Sequence, residues 1–422
     1  MTEKLLQYIW QFQYFNRGSL TTTDGEIIQV IVPGALNKNQ GPDFFNAKIK
    51  IGNTVLAGTI ELHIKTSEWK KHGHHFDNNY RNVILHVVYQ NDEDFSGAVP
   101  VLELQSRISL MMLQHYDGLM SSTSFIACAD NIHLVKEITW LSWKERLLAE
   151  RLSRKAERVL ELLKQSHNHW EEVFWWLLAR NFGASVNAEA FESMAQTISV
   201  NILAKHKASI HQLEALLLGQ AGLLKNSFEE EYPKLLQREY LFLKKKYELH
   251  PSVMPVHFLR MRPQNFPTVR LAQLAMLVQQ STHLFSKILE IEDIVVLREW
   301  LAVTANDYWH YHYRFDHSAA FRKKTIGSSS VNSIIINTIS PALFAYGLYH
   351  KQENMKAKAM AWLEQTSSEL NVVTKGFSSL SVIHKTAYDS QALLELKNEY
   401  CTKKRCLDCS VGHYLLKLNA NN

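Results

Sequence analysis

Two carboxylates and a cluster of histidines in the first quarter of the chain could hold a divalent metal. Asp43 follows Pro42 in "NQGPDF", and Glu61 closes the apolar run "VLAGTI" before "HIK". If the two acids flank a hairpin, their 17 intervening residues bring the start of one strand opposite the end of the next. Side chains alternate along a strand, so Glu61, His63 and Lys65 share one face. Such a face offers two acids, an imidazole and an ammonium. Paired carboxylates with water and substrate phosphates suit Mg²⁺ or Mn²⁺. His63 or Lys65 beside them would position or deprotonate an attacking water and offset transition-state charge. That is the chemistry of metal-dependent phosphodiester hydrolysis. In the ordinary alternative, Asp43 opens a strand from a turn and the other three form a solvated strand face. Against it stands the mid-sheet position expected for Glu61, where an acid needs a partner.

Three further constellations carry chemistry. "WKKHGHHFDNNY" gathers His72, His74, His75 and Asp77 without a helical His pair flanking a Glu, so it is no zinc-protease motif. Zinc ligation and plain solvation both stay open. A third role has His72 or His74 contacting a substrate phosphate beside the acidic face. "FLRMRPQNFPTVRLAQLA" sets Arg260, Arg262 and Arg270 just before a helix, a phosphate clamp or a set of partners for helix acids. "EYCTKKRCLDCSVG" places Cys401, Cys406 and Cys409 within nine residues, and the one other cysteine is Cys128. Four such thiolates could close the chain on zinc or on an iron–sulfur cluster; the alternative is buried free thiols. "YWHYHYRFDHS" reads as a base-stacking segment or as an aromatic core helix.

The elements that must position these residues fall into two textures. "EKLLQYIWQFQYF" forms an amphipathic opening helix. Strands are expected over 25–34, 45–52, 54–65, 82–90 and 99–105, with "IGNT" turning the second into the third. "NVILHVVY" is apolar throughout, as a strand buried on both faces is. The polar stretch between the third and fourth strands is a crossover with room for a short helix. From about residue 135 the apolar spacing becomes helical and stays so to the end. The chain is thus α+β: an N-terminal α/β domain over 1–118, then an all-α domain over 119–422 that ends in the cysteine motif. With 422 residues, 46% hydrophobic and 21% charged, the composition is that of a globular protein. A net charge of +5 permits an anionic partner without requiring one. The start lacks a signal peptide's basic onset, and no uncharged apolar stretch of membrane-spanning length is expected, so the chain reads as cytoplasmic with no membrane role.

"GPDF" followed by "IELHIK", within the order helix, three strands, crossover, strand, resembles the PD-(D/E)XK nuclease signature over roughly residues 1–105. The resemblance implies a restriction-endonuclease-like domain with a mixed central sheet. It also implies metal carboxylates at Asp43 and Glu61 and a nucleic-acid partner, DNA or RNA. His63 fills the position of that family's lysine, and Lys65 lies two residues on. From end to end the chain also resembles a bacterial family catalogued only as a domain of unknown function (number 2851). The stretches that carry it include "IELHIKTSEW", "HGHHFDNNYRNVILHVVY" and "FLRMRPQNFPTVRLAQLA". That resemblance implies no activity.

Overall fold

Helix α1 (Glu3–Gln11) begins at Thr2, whose side chain accepts from the Leu5 amide, satisfying one of the amides a helix start leaves open. Leu5, Leu6, Ile9 and Trp10 turn inward and are almost fully buried. They pack on a mixed sheet, α1 lying against its long fourth strand. The computed structural model describes residues 1–94, 99–259, 261–281 and 283–418.

The sheet comprises β1 (Ile28–Val32), β2 (Ala35–Leu36), β3 (Phe44–Ile51), β4 (Thr54–Lys65), β5 (Val83–Gln90) and β6 (Val101–Glu103). Its order is β1-β3-β4-β5-β6, with β2 paired to the far part of β3. β3 runs antiparallel to β1 and β4, while β5 runs parallel to β4 and β6 parallel to β5. The expected hairpin forms across Gly52, whose φ of +54° suits glycine. β5 lies inside the sheet, and Leu85, Val87 and Val88 are fully buried, as its unbroken apolar run predicts. The crossover from β4 to β5 carries the short helix α2 (Glu68–Lys71) and two 3₁₀ turns.

A bulge in β3 decides which way Asp43 faces. Phe44 pairs with Ile60, but Ala47 pairs with Gly58, so β3 holds one extra residue between these pairs. Asn46 absorbs it at φ +57°, a conformation asparagine tolerates better than most residues. In unbroken alternation Asp43 would share the inward face of Ala47, Ile49 and Ile51. The bulge reverses the parity and turns Asp43 to the face of Glu61 and His63. Gly58, opposite the bulge, has no room for a side chain: a Cβ there would lie 2.5 Å from the Asn82 carbonyl oxygen and 2.6 Å from Ile84 Cγ2. Gly58→Ala should therefore cost about 1–3 kcal/mol through backbone displacement, read as a lower urea midpoint at unchanged slope.

The chain divides into two compact units. The first, Met1–Glu145 with Ser379–Ser381 and Glu395–Asn422, extends beyond residue 118 and takes back the C-terminal segment. The second, Arg146–Ser378 with Val382–Leu394, begins inside a long helix, Glu137–Gln165. It is mostly helical, and its inward positions include Trp175, Phe191, Phe285, Trp309 and Trp362. "HWEEVFWWLLARNFG" forms the helix Trp170–Phe182 and stops at Gly183, as its pattern predicts. "SPALFAYGLYHKQENMKAKAMAWLEQ" does not stay one helix. Lys351 takes a left-handed conformation at φ +56° and separates Ser340–His350 from Glu353–Glu364. "YWHYHYRFDHS" forms a 3₁₀ turn and a two-stranded hairpin, His312–Arg314 with His317–Ser318, rather than a helix. One helical run, Ser328–His350, does reach membrane-spanning length free of charge, with mean hydropathy 1.3, which corrects the expectation that none would. It is 72% buried within the protein, as a core helix is. Interleaved Ser, Asn and Thr hid the run from a reading by apolar stretches.

Candidate metal centre

Asp43 and Glu61 meet, as the hairpin argument requires. The Asp43 amide donates to Glu61 Oε2 at 3.0 Å. Asp43 Oδ2 accepts from the Leu62 amide at 3.0 Å, and Oδ1 accepts from the Gln7 side chain at 2.8 Å. Each acid is thus held in place by the strand that carries the other, and α1 supplies a third support through Gln7. The loop before Asp43 is fixed as well. Asn37 donates to the Gln40 and Pro42 carbonyls, and its own amide donates to the Asp43 carbonyl at 2.7 Å. Glu61 is buried and Asp43 half-buried. Burial raises both carboxyls well above the ordinary range, and for Glu61 the neighbouring Asp43 charge adds to it.

The free oxygen of Glu61 faces imidazoles. Oε1 lies 3.7 Å from His63 Nε2 and 3.5 Å from His74 Nε2. His63 Nε2 in turn lies 3.2 Å from His72 Nδ1 and 3.3 Å from His74 Nε2. Among the described residues, His63, His72 and His74 form a set whose ligand atoms all lie within 4.8 Å of one another. A tetrahedral zinc with nitrogen and oxygen ligands at 2.0–2.1 Å would place them about 3.3 Å apart. A shared proton satisfies one such pair at a time; a cation among the three imidazoles satisfies all of them at once.

His63 is oriented from behind. Its Nδ1 shares a 2.8 Å hydrogen bond with Nε2 of His86, which is fully buried and pairs with Glu61 across β4 and β5. A second hydrogen bond of this kind fixes tautomer and ring angle in metal-binding histidines. Burial, with the neighbouring imidazoles adding, holds His63 down at about 3, and burial does the same to His86. Both rings are therefore neutral at pH 7, the state a metal ligand needs. His74 stacks on Tyr80 at 3.9 Å, and Trp69 lies edge-on to His63 and tilted against His86. The crossover delivers His72 and His74 on either side of Gly73, whose φ of +74° makes the turn. His86→Phe should keep the packing and lower metal affinity ~10–100-fold, measurable by calorimetric titration with Zn²⁺.

The other expected residues sit elsewhere. Lys65 shares the strand face but is half-exposed, with its amine 3.9 Å from Asp92. Asp77 caps the turn at Asn79. In the second unit Arg270 is mostly buried and donates to Gln273, Asn265 and Ser330, all neutral. Arg262 is exposed at the start of a 3₁₀ turn, and Arg260 lies outside the described residues. Sequence reasoning missed Gln7, Trp69, Tyr80 and His86. Only His86 carried a signal, as an ionisable residue inside an apolar strand.

These features define an α+β protein with a carboxylate–imidazole cluster built on a mixed sheet. The chain belongs to the family described as "Protein of unknown function (DUF2851)", whose model matches residues 3–372. No curated protein and no solved structure matches it.

Proposed function

We propose that the chain is a divalent-metal-dependent phosphodiesterase acting on nucleic acid, with Glu61, His63, His72 and His74 holding zinc or manganese. One observation carries the reading: the His63, His72 and His74 ligand nitrogens lie within 4.8 Å of one another, with a Glu61 oxygen 3.7 Å from His63 and 3.5 Å from His74 and a second carboxyl beside it. Imidazole ligands favour a transition ion over Mg²⁺. Asp43 is the lesser ligand candidate, because both its oxygens already accept from protein donors. The ion would supply an activated water, taken as a fifth ligand, and would polarise a phosphoryl oxygen. Asp43 aims Glu61 through its amide, Gln7 holds Asp43, and His86 holds the His63 ring. His72 is exposed while His63 is buried, so the cluster opens to solvent on the His72 side, where substrate would enter.

The choice of a phosphodiester rests on the resemblance of strand order and "GPDF…ELHIK" spacing to PD-(D/E)XK nucleases. Within the second unit, the exposed Arg314 guanidinium lies over Phe258 and Phe266, a cation–ring pair on which a nucleic-acid base can stack. The free cysteines suit a reducing compartment, and we place the chain in the cytoplasm. One observation favours a second reading, a bound metal with no catalysis: Lys65, the available ammonium on that strand face, is turned to Asp92.

The test begins with dialysed protein titrated with Zn²⁺, Mn²⁺ and Mg²⁺ and assayed on labelled single- and double-stranded DNA and RNA. Zinc or manganese should bind in a one-to-one ratio, survive Cys401→Ser/Cys406→Ser/Cys409→Ser, and vanish in His63→Ala/His72→Ala/His74→Ala. Absence of stoichiometric binding overturns the reading. Binding without cleavage of any of these substrates supports the non-catalytic one.

A further inference from the structure

All four cysteines fall in the first unit, each at the edge of an element. Cys128 precedes a 3₁₀ turn (Ala129–Leu134), and Cys401 ends a wide helical turn (Leu396–Cys401). Cys406 opens another 3₁₀ turn, and Cys409 stands immediately before the helix Ser410–Leu418. All four are free thiols, and together they line one small, partly open apolar cavity to which Arg405 and Gly412 also contribute.

The cavity is built rather than incidental. A Cβ on Gly412 would lie 2.2 Å from the Cys406 carbonyl oxygen. Only a bare backbone lets the C-terminal helix press on the Cys406 turn and bring Cys406 and Cys409 to the same cavity. The Gly412 and Val411 amides and the Trp143 indole lie close enough to the Cys409 sulfur to favour its anion. Such donors stabilise a thiolate and tune metal–sulfur centres. Lys397 lies close enough to Cys401, and Lys404 to Cys406, to favour their anions. A bound metal deprotonates its thiols outright, and these neighbours suit the anionic sulfur that results.

Four thiols lining one central void suit a polynuclear centre, whose sulfurs stand apart around the cluster, better than a single zinc ion, which draws four sulfurs in to about 3.8 Å.

We propose that Cys128, Cys401, Cys406 and Cys409 hold an iron–sulfur cluster that ties the 401–409 segment to Cys128 within the first unit. Binding is ligand exchange onto a preassembled cluster. Four iron–thiolate bonds to the thiol carrier of the cluster break as four cysteine-sulfur–iron bonds form, and the four cysteine S–H protons pass to the released carrier thiolates, with no net electron transfer. The trio lies beyond the family match, which ends at residue 372, and the proposal does not depend on the histidine centre.

The decisive experiment is elemental. The full chain is produced in iron-replete cells, purified without air, and assayed for iron, acid-labile sulfide and zinc. Iron and sulfide should appear in about equal amounts, with visible absorption that dithionite bleaches. They should persist in His63→Ala/His72→Ala/His74→Ala and be lost in Cys401→Ser. Zinc without sulfide in the wild-type chain, or a folded chain with neither metal, overturns the proposal. If Cys401→Ser fails to fold, the wild-type composition decides alone.

Discussion

A chain carrying Glu61→Gln and His74→Ala is expected to lose tight zinc or manganese binding and at least ~10²-fold of its metal-dependent cleavage. The two side chains contribute neighbouring ligand atoms, 3.5 Å apart, so their joint removal leaves His63 and His72 alone. Metal-free stability should hardly change. Glu61 is already protonated, and so neutral, at pH 7, and a neutral amide replaces it without burying a new charge. Glutamine also keeps an oxygen for the Asp43 amide. His74 gives up its stacking on Tyr80, worth ~0.5–1.5 kcal/mol. Metal-free melting within a few degrees of wild type, together with lost binding, distinguishes loss of ligands from loss of fold. Asp43→Asn should act more weakly, ~10–100-fold on affinity, because it removes one of the two acceptors that meet Gln7 and the Leu62 amide and leaves in place the main-chain amide that meets Glu61. Wild-type affinity in the double variant would sink the assignment of Glu61 and His74 as ligands.

Strand periodicity and the "IGNT" turn were enough to pair Asp43 with Glu61 and to bury β5. They rest on local rules: alternation, turn chemistry and unbroken apolar runs. What stayed illegible depends on non-local geometry. No local pattern announces that Asn46 absorbs an extra residue, yet without that bulge Asp43 would face the core. The histidines of the crossover read as a polar loop, because their convergence on His63 needs α2, Gly73 and the register of β5 at once. Lys65 shows the converse failure. Its parity matches Glu61, but it stands at the end of β4, where its long side chain reaches Asp92. The 1–118 boundary followed a change of texture in the sequence, whereas the C-terminal segment returns to the first unit through contacts distant in sequence.

Metal affinity at the Glu61 centre should rise steeply with pH, while metal-free stability runs the opposite way. In the metal-free protein Glu61 is held up at about 9 and Asp43 at about 7, chiefly by burial, while His63 is held down at about 3. At neutral pH the imidazole is already open for ligation, but the Glu61 carboxyl still carries a proton that the ion must displace. Each displaced proton makes affinity rise tenfold per pH unit, so between about pH 6 and 8 it should increase ~10²-fold, or more if Asp43 also ionises. Above about 9 the dependence should flatten. For folding, both carboxyls have native values above their unfolded ones near 4. Their stabilising contribution is therefore full below about pH 4 and lost as pH climbs through about 7 to about 9. His63 and His86 run the other way. Their contribution is full above about 6.5 and lost as pH falls towards about 3, outside that upper window. Melts of the metal-free protein should thus fall from about pH 6 to 9, and saturating Zn²⁺ should abolish the fall, because bound metal has already removed the protons. Calorimetry in buffers of different ionisation enthalpy counts those protons directly. A zinc affinity flat across the same range would mean that no carboxyl proton leaves on binding, and Glu61 would then be a neighbour of the ion rather than its ligand.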